Sequence, residues 1–323
     1  MKQMNSLSEI ARCITERDRF VLTGHISPDG DCIGSLVGLY LGLKLLGKKV
    51  DMLLEDPVPP IYHYLHGVEA VLPVEYRKED WDTLIFLDCS DAERAGQQVL
   101  DNTEQIPLRL CIDHHMSNEA FADLNYVDSQ AAATAEIVYE LLGLLDVKID
   151  EDIANALYVG IVQDTGNFKH ASTTSKSFQI AAQLLDRGAD ISLTKQHLFE
   201  SKDKKEILFL ARALSSLRFS DDVRIAWMTL TQNDLKELDA EDFQPEGIIN
   251  YTLMTKEVEV GLFFREIGDQ TVKVGFRSKG EVNVAELAER FGGGGHRQAS
   301  GARIEEPLKK VEKLVLAVVK DVM

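Results

Sequence analysis

The chain has 323 residues, 45% of them apolar and 27% charged, a globular composition with room for two domains of ordinary size. Its net charge of −18 opposes a protein that grips long nucleic acid through a broad basic surface. That charge still permits a short anionic substrate held by metals and a few local cations. No apolar run reaches membrane-spanning length, since the stretch 36–46 is short and carries Lys44. The four cysteines, Cys13, Cys32, Cys89 and Cys111, form no C-x-x-C pair, so a zinc knuckle is unsupported. They read as small buried residues of a reducing compartment.

The first element is a helix: Ser6 and Glu9 have capping-box spacing, and Leu7, Ile10, Ala11 and Ile14 share one face. No basic-then-apolar signal layout precedes it, so the expected location is cytoplasmic. Residues 20–24 (FVLTG) form a short apolar strand. HISPDGDCIGS follows, and His25, Asp29 and Asp31 fall within seven positions of it. Pro28 and Gly30 fit a tight turn that aims the two carboxylates inward. Taken alone, Asp-Gly-Asp has the composition of any surface turn. The stretch 32–46 reads as a helix ended by Gly47, and 49–54 (KVDMLL) as a second strand.

Two more apolar strands end in titratable side chains. Residues 84–88 (LIFLD) lead to Asp88, whose alternative is a helix N-cap. Residues 108–113 (LRLCID) lead to Asp113, His114 and His115. Neighbours on a strand point to opposite faces, so the two histidines have different jobs, one facing metal and the other substrate. Residues 131–145 and 153–162 read as helices, and VQDTGNF places Asp164 at the end of the second. A carboxylate there is costly unless it is paired or metal-bound. Strand–helix alternation with continuous apolar strands predicts an α/β fold, a mostly parallel sheet flanked by helices.

From 174 to 219 the pattern is helical and increasingly charged, with SKDKKE (201–206) its most polar piece. Beyond residue 223 three strand-like stretches, VRIAWMTL, VEVGLFF and TVKVGF, predict a smaller mixed α/β domain. A helix over 283–291, the glycine run 292–295 and an amphipathic helix from Pro307 complete it. The expected organisation is a catalytic domain over 1–190, a helical linker over 191–222 and a substrate-binding domain over 223–323.

Each of four stretches puts an acid or imidazole at the end of an apolar element. Carboxylate and imidazole ligands without cysteine favour manganese or magnesium over structural zinc. Several carboxylates suit two ions about 3.5–4 Å apart, the arrangement that clamps phosphoryl oxygens.

HISPDGDCIGS, LDCS, DHH and QDTGNF, in that order, resemble the four motifs of the DHH phosphoesterase superfamily. FGGGGHRQASGARI resembles the glycine-rich signature of the DHH-associated substrate-binding domain. The resemblance covers nearly the whole chain, and its layout is that of the family's oligoribonucleases, which also dephosphorylate 3′-phosphoadenosine 5′-phosphate (pAp). It implies two Mn2+ ions, with Mg2+ as the substitute. His25 and Asp29 would hold one ion; Asp31, His114 and Asp164 the other; Asp88 would bridge them. Asp113 would orient its neighbour, and His115 would meet the substrate phosphate. Gly293, Gly294, Gly295 and His296 would bind a phosphate, joined by Arg265, Arg277 and Ser278. Short RNA oligonucleotides and pAp are the implied substrates, and a homodimer is compatible with the superfamily. Within the same chemistry the alternative is a phosphodiesterase for linear or cyclic dinucleotides. A non-catalytic nucleotide sensor is the alternative from another class, and the complete ligand set argues against it.

Overall fold

The structure is a computed structural model, and it describes residues 4–76, 80–240, 247–268 and 270–323. The chain divides into two compact units, Met1–Ser201 and Lys202–Met323. The boundary falls inside the polar SKDKKE stretch. The stretch 191–222, expected as one helical linker, is therefore shared between the two units.

In the first unit the described elements are α1 (Leu7–Thr15), β1 (Arg19–Thr23), α2 (Gly30–Leu45), β2 (Lys49–Leu53), β3 (Val71–Leu72), β4 (Thr83–Leu87), α3 (Gln97–Thr103), β5 (Arg109–Asp113) and β6 (Leu124–Val127). Then come α4 (Thr134–Leu144), α5 (Glu151–Asp164), α6 (Ser175–Asp186) and α7 (Ile191–Phe199). The capping box of α1 forms as the sequence predicts, and Ile10, Ala11 and Ile14 are buried. The sheet runs β3-β2-β1-β4-β5-β6, with every pair parallel. The chain reverses its direction of travel across the sheet between β1 and β4. In open parallel sheets the crevice beyond the strand ends at such a reversal is where ligands bind.

All five residues of β4 (TLIFL) are buried, as expected for a central parallel strand covered on both faces. The helices pack close to one another as well as to the sheet. A methyl group added at Gly34 of α2 would sit 2.3 Å from the Ala156 carbonyl oxygen of α5. One added at Gly160 of α5 would sit 2.8 Å from Asp31 Oδ1. The helix contact that forms the core thus also sets how near α5 comes to the carboxylate at the start of α2.

The second unit contains α8 (Lys204–Ser215), β7 (Arg218–Phe219), β8 (Ile225–Leu230), α9 (Gln232–Glu237), β9 (Val260–Gly268), β10 (Thr271–Ser278), α10 (Val284–Glu289), β11 (Gly294–His296), β12 (Ala299–Ile304) and α11 (Leu308–Lys320). Its sheet runs β11-β12-β10-β9-β8-β7. Only β8 and β9 pair in parallel; the other pairs are antiparallel. Val311, Val315 and Val319 of α11 are buried with Val260, Leu262, Phe264 and Val274 of the sheet. The fold is α/β with a parallel sheet in the first unit and a mixed sheet in the second. Among the described residues no helix is long and apolar enough to cross a membrane.

Candidate metal centre

The side chains singled out in the first unit converge at the carboxyl ends of β1, β4 and β5. His25 lies two residues beyond β1. Its Nδ1 donates to the Ile26 carbonyl at 2.8 Å, which leaves Nε2 as the ring's lone-pair nitrogen. That nitrogen lies 3.7 Å from Asp29 Oδ1 and 3.5 Å from Asp88 Oδ2. Asp29 is the N-cap of α2, and its Oδ1 accepts from the backbone N–H groups of Asp31 and Cys32.

Asp88 follows β4 directly and has φ +59. This left-handed conformation costs an Asp roughly 1–3 kcal/mol. Each fully buried Leu, Ile or Phe contributes about 1.5–3 kcal/mol, so the buried strand outweighs the strain. The result is a carboxylate turned into the crevice between His25 and His114. Asp88 Oδ1 is 3.5 Å from His114 Nε2 and accepts a hydrogen bond from Thr134 Oγ1 at 3.0 Å.

Asp31 is wholly buried. Its two oxygens accept from the N–H groups of Thr134 (2.5 Å) and Ala135 (2.9 Å), the first turn of α4. His114 Nε2 lies 3.9 Å from Asp31 Oδ2 and 3.1 Å from Asp164 Oδ2. Its Nδ1 donates to the Ala131 carbonyl at 3.4 Å.

Among the described residues three groups of potential ligands result: His25 with Asp29 and Asp88; Asp31 with His114 and Asp164; Asp88 with His114 and His115. Within each, the donor atoms lie within 4.8 Å of one another. Asp88 belongs to the first and third, and His114 to the second and third. His114 Nε2 is buried and faces the carboxylates of Asp164, Asp88 and Asp31 without a well-aligned hydrogen bond to any of them, and a buried imidazole nitrogen so placed fits a metal ligand. The donors are carboxylate and imidazole, and the site accordingly fits divalent cations.

His115 is different. Its Nδ1 is 2.7 Å from Asp113 Oδ1, closer than its 3.6 Å approach to Asp88. Asp113 is fully buried and is also bound by the His114 N–H and by Asn118 Nδ2. The ring therefore uses Nδ1 as a donor to Asp113.

The titration of these groups follows from their crowding. Burial opposes charge on His25, but Asp29 and Asp88 outweigh it and lift the ring to about 10. Burial likewise opposes His114, and Asp164, Asp31 and Asp88 lift it to about 10. The Asp113 hydrogen bond raises His115. Burial, then the charges of Asp88 and Asp164, push Asp31 well above the usual carboxylate range. Burial works against the Asp113 charge, but His115 holds that carboxyl below its usual range. Without cations the cluster thus keeps its balance by holding protons.

The chain belongs to the DHH family. The family's N-terminal domain matches residues 19–161, and the DHHA1 domain matches residues 236–323. The chain is 31% identical over 309 residues to the bifunctional oligoribonuclease and PAP phosphatase NrnA of Thermus thermophilus, spanning 94% of this chain and 89% of that one. It is 29% identical over 341 residues to the cyclic-di-AMP phosphodiesterase GdpP of Bacillus subtilis, spanning 96% of this chain but 49% of that protein. Its fold matches an exopolyphosphatase-related protein of Bacteroides fragilis with a TM-score of 0.82 and 25% identity, over 98% of this chain and 94% of that one.

In the second unit Gly294, Gly295 and His296 form the edge strand β11, and His296 is exposed. Two of the residues expected at a phosphate there, Arg265 and Ser278, are buried. Arg265, expected to meet a phosphate, lies within β9, is buried, and donates to the Ala240 carbonyl. Ser278 is buried too, and its hydroxyl donates to Val282 and accepts from the Gly280 N–H. That hydroxyl is used in closing its own turn. Arg277 is partly exposed, with Nη1 donating to the Phe276 carbonyl. Phe168, four residues beyond Asp164, packs partly against the core and stacks on Phe178 at 5.0 Å.

Thr134, Asn118 and the first turn of α4 were not foreseen as parts of the site. Their signal in the sequence is faint. The stretch AAATAE before a helix lacks an N-capping side chain, and Ala133 holds the N-cap without a side-chain bond. A helix start without its own cap implies a cap supplied from elsewhere, which here is Asp31.

Proposed function

We propose that the protein is a metal-dependent phosphoesterase that hydrolyses short RNA oligonucleotides to mononucleotides and pAp to AMP and phosphate. The observation that carries this reading is the position of Asp88, shared between the His25–Asp29 group and the group around His114. The similarity to NrnA over nearly the full length supports the substrate class.

His25 and Asp29 would hold one cation, Asp31, His114 and Asp164 the other, and Asp88 both. Mn2+ fits the carboxylate and imidazole donors, with Mg2+ as the alternative. When bound, the pair supplies Lewis acidity and lowers the pKa of water for attack on phosphorus. His115, held by Asp113, keeps a proton and directs its Nε2–H at a phosphoryl oxygen, stabilising charge that develops in the transition state. Gly294, Gly295, His296 and Arg277 bind a terminal phosphate, whereas the Gly293 N–H is taken by the Ala288 carbonyl. The acidic surface disfavours a long polyanion, so the substrate is short.

Turnover with Mn2+ on a matched panel tests this: pAp, a 5′-phosphorylated dinucleotide, a pentanucleotide, a much longer RNA, cyclic di-AMP and pyrophosphate. Hydrolysis of pAp and the short RNAs, with little of the others, is the expected result. Preference for the cyclic dinucleotide would favour the second reading, which the similarity to GdpP supports. Preference for pyrophosphate or the long RNA would overturn the substrate assignment, and absence of any turnover would leave a nucleotide-binding sensor.

A further inference from the structure

Glu136 is a charged residue with no place in the chemistry above, yet it is wholly buried. It is the third residue of α4. Its Oε2 accepts the Ala132 N–H at 3.2 Å, and its Oε1 is buried without a hydrogen-bond partner. A buried carboxylate satisfied on one oxygen only is a net cost to folding. What the contact does is fix the turn 131–135, and this one turn touches three metal-binding side chains. The Ala131 carbonyl accepts from His114 Nδ1. The Thr134 and Ala135 N–H groups bind Asp31. The Thr134 hydroxyl binds Asp88.

We infer that Glu136 is a positioning residue for the metal centre, acting through the 131–135 turn. The geometry supplies the reason. Ala133, the N-cap of α4, has no side chain with which to cap the helix. Two tasks of a capping box are therefore divided between residues distant in sequence: Asp31 takes the first free N–H groups, and Glu136 reaches back to the N–H just before the cap. Metal ligand and helix start hold each other. The carbonyl of Ala131 selects the His114 tautomer that leaves Nε2 bare, and groups of this kind around a metal are worth roughly 10–100-fold in affinity. The inference rests on the metal reading given above, and it assigns to Glu136 no contact with metal or substrate.

The test compares Glu136→Leu with Glu136→Gln in the full chain. Two quantities are measured: Mn2+ affinity of the metal-stripped protein by calorimetry, and melting temperature in metal-free buffer. Gln retains an acceptor for the Ala132 N–H, whereas Leu fills the space without one. The expected result is Mn2+ binding weakened about tenfold or more in the Leu variant and close to wild type in the Gln variant. A purely structural role would lower the melting temperature of the Leu variant and leave the affinity of its folded form unchanged, and that outcome overturns the proposal. Equal loss in both variants also overturns it, because the charge rather than the turn would then be the cause. Should the Leu variant not fold, Glu136→Asp replaces it under the same criteria, its shorter side chain falling short of Ala132. Wild-type protein that takes up no Mn2+ would remove the metal reading itself, a result distinct from failure in the variants alone.

Discussion

The two units of this chain place their candidate binding groups in different settings. In the first, glycines are inside: Gly34 and Gly160 let α2 and α5 approach until backbone and carboxylate nearly touch. Charged groups are inside as well, with Asp31, Asp88, Asp113 and Glu136 all buried. In the second unit, Gly294 and His296 lie open on an edge strand. A parallel sheet whose strands end together can gather ligands from distant parts of the chain into one desolvated place. A short antiparallel edge offers backbone N–H groups to whatever arrives. The first arrangement suits a site that must hold several like charges close together. The second suits recognition of a phosphate by close backbone approach.

If the first unit depends on that gathering, the largest effect should come from the residue at its centre. Asp88→Ala removes the side chain common to two of the ligand groups, and the Thr134 hydroxyl then loses its acceptor. Turnover is expected to fall by more than the ~100-fold typical of a change behind the ligands, with loss of one of two Mn2+ equivalents in a metal titration. Thr134→Val, which leaves Asp88 in place, should have a smaller effect. Retained metal-dependent turnover in Asp88→Ala would sink the bridging role.

The same crowding sets a pH dependence. His25 and His114 are raised to about 10 in the metal-free site, so both hold protons at neutral pH. Groups with raised folded-state pKa values stabilise the metal-free protein fully below the ordinary imidazole value, and that contribution disappears as pH rises through about 10. Metal-free protein should therefore lose melting temperature across the alkaline range. Metal binding needs the neutral rings. Mn2+ uptake at neutral pH should release protons, and apparent affinity should rise with pH toward about 10. Calorimetry in buffers of different ionisation enthalpy reads the proton release directly. A pH-independent affinity between neutrality and pH ~9 would show that the imidazoles are not ligands.

How much of this was open to the sequence differed by region for physical reasons. In the first unit each motif sits where an apolar run stops, so His25, Asp88 and Asp113–His115 were placed at strand ends correctly, and β1, β2, β4 and β5 lie where their apolar residues put them. The positive φ of Asp88 leaves no mark in composition. Glu136 looked like an ordinary helix residue, because in an apolar stretch a single acid normally faces water. In the second unit β12 (ASGARI) was not anticipated. Small residues give no alternating apolar signal; pairing with β10 creates the strand. The burial of Arg265 leaves no mark in the sequence, since a charged residue near a strand end usually faces water.

The glycine run provides the finest test of the contrast, and its expected effects are the smallest. A methyl group at Gly293 would lie 2.2 Å from the Gly301 carbonyl oxygen. One at Gly295, where φ is +145, would lie 2.6 Å from the Ala299 carbonyl oxygen. Gly294 has an exposed position and nothing within 4 Å of an added methyl. Gly293→Ala and Gly295→Ala should therefore cost the fold about 1–3 kcal/mol, seen as a lower midpoint in urea. Gly294→Ala should leave that midpoint unchanged. If the run receives a phosphate on its open side, Gly294→Ala should instead raise KM for short RNA several-fold at nearly constant kcat, the pattern of lost uniform binding. Unchanged KM in this variant, with stability also unchanged, would mean that Gly294 is merely tolerated there, and that phosphate recognition in the second unit belongs to His296 and Arg277 alone.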